Sequence, residues 1–361
     1  MSPRLRNPDL HGVDPARAST ADHNVFGLHF REAESSLVLV PVGWDATTSY
    51  RRGTALGPEA IHKASAQLDL HDRELGPYGV PAPWRHGIHL AAPHHDIASW
   101  NETASGLAAP IIEHGGDVDA EPELRRDLAH VNMLSAKLNQ AVYDETRHRL
   151  DRDQIVGVVG GEHSVSFGAI RAHAERFPGL GILHVDAHAD LRFAFEGFTH
   201  SHASILRNVL DSIPGVTQVV QVGIRDFCEE ELQLIEKDPR LITFFDADLQ
   251  ARRFAGETWR ALVDEIVSKL PAKVYVTFDI DGLDPALCPA TGTPVPGGLA
   301  FAEAQYLLLA LVRAHKHVVG FDLTEVAPPP SGHDEFDGNV GARILYRLCG
   351  VALASEFALG P

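Results

Sequence analysis

An α/β fold built on a mostly parallel sheet is predicted by three observations. Short β-branched runs recur at 37–42, 155–159, 181–185, 216–223, 273–278 and 317–321, each bounded by Gly, Pro or Asp. They are apolar at successive positions, as strands covered by helices on both faces must be. Between them apolar residues step by three or four, the period of amphipathic helices. The 361 residues are 44% hydrophobic and 22% charged, enough apolar material for one large core and far from the profile of a disordered chain.

In chain order, residues 1–30 carry Pro, Arg, Asp and His without periodicity and read as an N-terminal arm. Its apolar patch of Val25, Phe26, Leu28 and Phe30 suits either a contact with a second copy or a cover folded back over its own subunit. No apolar segment of signal-peptide type opens the chain, and no apolar run approaches the roughly 20 residues of a membrane span. Cys228, Cys288 and Cys349 form neither a C-x-x-C pair nor a disulfide framework, so reduced thiols and a cytoplasmic location are expected. Residues 31–361 read as one domain. Within it, 91–119 shows no clear periodicity and is expected to be a surface insertion. Leu124, Leu128, Val131, Leu134, Leu138 and Val142 then draw one stripe along a long helix leading into the 155–159 strand. Residues 302–314 and 339–354 complete the helices, the second entered through the turn Asp337-Gly338-Asn339.

The formal charge of −18 repels phosphate backbones and anionic membranes, which excludes a nucleic-acid footprint and agrees with a cationic substrate. Ligand-type residues then cluster at strand ends. Asp186-Ala-His188-Ala-Asp190 follows the 181–185 run, and in extended chain its three polar side chains share one face. Asp279-Ile-Asp281 closes the 273–278 run and Gly160-Gly161-Glu162-His163-Ser164 closes 155–159. Parallel strands bring these ends to one edge of the sheet, where open α/β proteins place ligands. Two imidazoles and four carboxylates without a thiolate suit Mn²⁺ or a similar ion better than structural zinc. Four aspartates carry a formal −4, which two divalent ions balance and one does not, so a two-metal site that activates water near neutral pH is expected. His94-His95-Asp96 looks ligand-like too, but sits in the insertion and is set aside as a decoy.

With these motifs in place, the chain from about Leu37 onward resembles the ureohydrolase family of arginases, agmatinases and guanidino-acid hydrolases. The matching segments are G-G-E-H-S at 160–164, D-A-H-A-D at 186–190, S-H-A-S at 201–204, F-D-I-D-G-L-D-P at 278–285, T-G-T-P-V-P-G-G-L at 291–299 and D-L-T-E-V-A-P at 322–328. The resemblance implies a three-layer αβα, arginase-like fold. It also implies a binuclear manganese site held by His163, Asp186, His188, Asp190, Asp279 and Asp281. Asp190 would in addition orient the attacking water, Glu325 would bind the guanidinium, and His202 would protonate the departing amine, with His200 its competitor. A homo-oligomer, trimer or hexamer, is implied as well.

The substrate is the finer question. The arginase stretch S-G-N-x-H-G is replaced here by Phe198-Thr199-His200-Ser201-His202-Ala203, and Cys228 stands where arginases place a second acid for the amino-acid head group. The segments 44–50, 190–198 and 222–230 resemble an agmatinase-like branch that includes nickel-dependent guanidine hydrolases. Free guanidine is therefore the expected substrate, with Mn²⁺ or Ni²⁺ in the site and Trp44 and Phe198 as candidate aromatic walls. Agmatine, whose distal amine could meet Glu196, Glu229 or Glu230, or a guanidino acid is the alternative. A non-catalytic regulatory homologue is the alternative of another class; it would have lost a ligand or Glu325, and every one of these positions is filled.

Overall fold

The computed structural model describes residues 4–11, 13–14, 23–330 and 335–359. Among them, eight strands form one sheet: β1 Leu37–Val42, β2 Ile88–Leu90, β3 Ile155–Gly160, β4 Leu180–Val185, β5 Val216–Ile224, β6 Leu241–Phe245, β7 Lys273–Asp279 and β8 His317–Thr324. The order is β2-β1-β3-β8-β7-β4-β5-β6 and every pairing is parallel. Six strands fall on the six apolar runs of the sequence. β2 and β6, the two edges, were not foreseen.

Helices occupy both faces. The chain passes through α1 Gly57–Ser65, α2 Ile97–Glu113, α3 Pro122–Leu150, α4 Ser166–Arg176 and α5 Ile205–Ser212. It then adds α6 Glu229–Lys237, α7 Asp246–Phe254, α8 Trp259–Ser268, α9 Phe301–Arg313 and α10 Phe336–Ala358. Two apolar clusters result, one on each side of the sheet, and consecutive strand residues divide between them. Val158, Ile182 and Val219 enter one cluster, while their neighbours Val159, Leu183 and Val220 enter the other. That alternation, with apolar groups wanted on both faces, is why the runs read as continuously apolar.

One expectation changes, and of the two alternatives for the arm the structure shows the cover over its own chain. The stretch 91–119 is not featureless: it contains α2, whose Ile97, Ala104, Ala108 and Ile111 are buried and whose axis packs on α3. The apolar patch of the arm is turned inward. Val25, Phe26, Leu28 and Phe30 are buried in the chain's own core, with the Phe26 ring edge-on to Tyr346 at 4.9 Å. Arg4 is buried as well, bonded to Glu356 and to the carbonyls of Gln154 and Val319. Residues 1–3, 12 and 15–22 of the arm lie outside the described residues.

Candidate metal centre

Four adjacent strands, β3, β8, β7 and β4, end at one point of the sheet edge, and each delivers part of the site. Past β3 the chain turns through Gly161 to Glu162 and His163. Past β4 come Asp186, His188 and Asp190, β7 ends on Asp279 with Asp281 two residues on, and past β8 comes Glu325. Ligand atoms gather in two groups, each within 4.8 Å: His163, His184, Asp186 and Asp190 in one, Asp186, His188 and Asp281 in the other. Asp186 belongs to both, as a residue between two ions would. Asp279 completes the set, its Oδ2 3.6 Å from His163 Nδ1.

At the centre of the first group His163 Nδ1 is left without a bond. His163 Nδ1 lies 2.8 Å from Asp190 Oδ2 and 3.1 Å from Asp186 Oδ2, yet makes no hydrogen bond of acceptable geometry. A buried nitrogen aimed between carboxylate oxygens is the arrangement of a metal ligand, and the donor set fits divalent ions. The electrostatics agree. Burial and then the charge of Asp186 push the Asp190 carboxyl up to about 6, and burial and then Asp281 hold Asp279 well above the carboxylate range. Without cations these acids oppose one another's ionisation.

The neighbouring side chains are held in turn. Asp190 and Glu325 both adopt left-handed backbone, φ 55° and 61°, which non-glycine residues rarely take outside constrained sites. The backbone N–H of Glu325 donates to the Gly161 carbonyl, while one of its carboxylate oxygens accepts the His163 N–H at 2.8 Å. Burial, then Glu162, raises its carboxyl well above the ordinary value. Thr291 donates its hydroxyl to the Glu325 carbonyl, so the T-G-T segment serves as a backing to this acid. Glu162 is buried, accepts bonds from Thr47, Thr48 and Ser164, and is pushed by burial up to about 7; it ties the loop after β1 to His163.

His202 stands beside this cluster. Burial, then the charge of His188, presses its ring down to about 4; the ring bonds the Thr47 backbone and its Nδ1 is buried without a partner. His200 lies apart, against the Phe167 ring at 5.6 Å and Asn208. Trp44 and Phe198, expected as aromatic walls, are wholly buried members of an apolar cluster, so neither offers an open ring face to a cation. The ring beside His202 is Phe195, edge-on at 5.9 Å. Cys228 opens α6, with its N–H donated to Glu231. The decoy His94-His95-Asp96 does form a small group of its own, with the two rings stacked at 4.7 Å just before α2.

Three residues were missed by sequence reasoning. His184 sits in the ligand cluster with its Nε2 2.8 Å from Asp186 Oδ2; it lies two residues before Asp186, so the strand period already placed it on that face. Asp226 forms an isolated parallel bridge with His188, and its carboxylate reaches to 4.0 Å from the His188 ring. Arg225 donates to the carbonyls of Gly223, Asp281, Leu283 and Val295, binding the β5 and β7 loops together rather than facing a ligand.

Comparison with known proteins agrees with the geometry. Residues 35–350 match the model of the arginase family. An N(1)-aminopropylagmatine ureohydrolase of Synechocystis sp. is 33% identical over 88% of this chain and 89% of its own length. An agmatinase of Bacillus cereus is 32% identical over 82% of this chain and 84% of its own. Among solved structures, a hypothetical agmatinase from Burkholderia thailandensis superposes with a TM-score of 0.70 at 23% identity, covering 100% of this chain and 98% of that one.

Proposed function

This chain belongs to the arginase family, and from that premise we propose that it hydrolyses a guanidino carbon–nitrogen bond to release urea, with free guanidine as its substrate. The observation that carries the substrate reading is enclosure. Of the six proposed ligand side chains only His188, at 24%, is more than 5% exposed, and Glu325 is buried beside them. A long zwitterion would bury a charged end there without partners, at a cost of several kcal/mol; guanidine has no tail.

A guanidinium resists water because it is resonance-stabilised and stays protonated above pH 12. A pair of divalent ions, Mn²⁺ or Ni²⁺, would supply a nucleophilic water at neutral pH and Lewis acidity. The chain does the rest. Glu325 would accept paired hydrogen bonds from the planar cation, and Asp190 would both help hold an ion and orient the water. The attacked carbon becomes tetrahedral, and its collapse needs a proton on the departing nitrogen. His202, neutral at rest, takes up on its free Nδ1 the proton that the attacking water gives off, passes it to the departing nitrogen as the carbon–nitrogen bond breaks, and is neutral again afterwards.

A second reading, agmatine or a longer analogue, is favoured by the names of the relatives and by acids at the rim. Asp226 is 65% exposed beside His188, and Glu229 and Glu230 lie exposed in the first turn of α6, where a distal amine could meet them. The deciding experiment is urea release from guanidine, agmatine, N(1)-aminopropylagmatine, 4-guanidinobutyrate and arginine, with Mn²⁺ and Ni²⁺ each added to metal-free protein. A higher kcat/KM for guanidine is expected. Faster cleavage of agmatine under the best metal for each substrate overturns the assignment. The family resemblance also suggests a homo-oligomer, trimer or hexamer, and a monomer by light scattering at micromolar concentration would contradict it.

A further inference from the structure

Strand register sets a row of polar side chains across the sheet, one step below the ligands. Asp322 on β8 lies opposite Thr277 on β7, Thr277 opposite His184 on β4, His184 opposite Gln221 on β5, and Gln221 opposite Thr243 on β6. The first four are fully buried among strands otherwise filled with Val, Leu, Ile and Phe. Polar groups in such a place must be bonded, and here the bonds determine where the protons are.

The Ala189 carbonyl can only accept, so the Gln221 side-chain nitrogen 2.8 Å away is the donor, and the Gln221 oxygen takes the Thr243 hydroxyl at 2.8 Å. The same nitrogen, 3.1 Å from His184 Nδ1, makes that atom an acceptor. The His184 proton therefore sits on Nε2, which donates to Asp186 Oδ2 at 2.8 Å. With Oδ1 holding the His188 backbone N–H at 2.6 Å, both oxygens of Asp186 are fixed. At the other end of the row, Asp322 Oδ1 accepts the Phe278 N–H and the Thr277 hydroxyl, the latter at 2.8 Å. Thr277 Oγ1 is then left to accept from His163 Nε2 at 2.8 Å, and the unprotonated Nδ1 of His163 faces the acids.

We infer that this cross-strand row is a frame that selects the metal-facing atoms of His163 and Asp186, and that His184, although its ring lies within the cluster, is a positioning residue and not a ligand. The inference rests on the metal-centre reading above and adds to it. Partners of this kind typically tune metal affinity by about 10- to 100-fold.

The test has two parts. In the unmutated, metal-free protein, long-range ¹H–¹⁵N spectra of the histidine rings are expected to show His184 protonated on Nε2; protonation on Nδ1 overturns the inference whether or not any variant folds. Titration calorimetry with Mn²⁺ then reads affinity and stoichiometry. Gln221→Leu, Thr277→Val and His184→Leu are each expected to bind two ions at saturation, about 10- to 100-fold more weakly. His184→Gln, which can present an amide N–H to Asp186, is expected to recover most of that loss. A His184→Gln protein holding one ion at saturation would make His184 a ligand, and a Gln221→Leu protein binding as tightly as the unmutated one would remove the frame. Unmutated protein that takes up neither Mn²⁺ nor Ni²⁺ would instead overturn the metal-centre reading, so the two failures are distinguishable.

Discussion

His202 and Asp190 concentrate the chemistry that single side chains must supply. With its ring held at about 4 by burial, His202 is neutral at pH 7 and carries a proton only during turnover. Replacing it by Ala is expected to lower kcat by about 10²- to 10⁴-fold while changing KM far less, because the proton is needed in the transition state and not in binding. His200, set against Phe167, is expected to matter much less; a larger loss from His200→Ala would transfer the shuttle role to it. Asp190→Asn asks a different question. Asn tolerates left-handed backbone, so the φ of 55° is kept while one of four mutually repelling carboxylates is removed. Metal content by elemental analysis is expected to fall from two ions per subunit, activity is expected to vanish, and the thermal midpoint of the metal-free protein should stay unchanged or rise. Full activity with one ion or fewer per subunit would refute the two-metal reading.

Strand ends and the loops that leave them decide how tightly those side chains are held. Gly161 is where β3 passes the loop after β1: a Cβ there would stand 2.0 Å from the Trp44 carbonyl oxygen, against backbone that Glu162 clamps in place. Gly161→Ala is therefore expected to abolish activity and to cost about 1–3 kcal/mol in urea unfolding. On the helical layer, His173 of α4 donates from Nδ1 to Ala169 and leaves Nε2 buried without a partner against Gly320, with its pKa pushed by burial down to about 3. The unfolded chain takes up this proton near pH 6.5 and the folded one does not, so stability is lost as pH falls through that interval, by up to about 1.4 kcal/mol per unit. His173→Leu should flatten that decline in metal-free protein between pH 7 and 4.5, as read by urea unfolding. The same elements show what the sequence made legible. Asp186, His188, Asp190, Asp279 and Asp281 were readable because each ends a two-faced apolar run at period two. His184 was not, since one histidine inside such a run resembles an ordinary buried ring until its neighbour Gln221 is known. β2, of three residues, and β6, half-exposed at the edge, lack the double apolar face that marked the inner strands. The buried stripe of α2 includes three small residues, Ala104, Ser105 and Ala108, and the helix contains Pro110, so its period was faint.

The whole molecule adds a field to this local machinery. Its formal charge is −18, Asp226 is exposed beside His188, and Glu229 and Glu230 are exposed three and four residues further on, in the first turn of α6. Such a field would enrich the proposed cationic substrate near the site, with the enrichment screened over a Debye length of about 10 Å at 0.1 M salt. Once the substrate is bound, Glu325 and the ligand cluster lie buried and shielded from added salt. Raising ionic strength from 0.02 to 0.5 M with a non-coordinating salt, values chosen as roughly bracketing that screening length, is accordingly expected to lower kcat/KM for guanidine while kcat holds nearly constant. The Asp226→Asn, Glu229→Gln and Glu230→Gln triple variant should show a weaker salt dependence than the unmutated chain. Equal slopes for the two proteins would mean that the rim acids do not guide the cation, and would remove the support they lend to the agmatine reading.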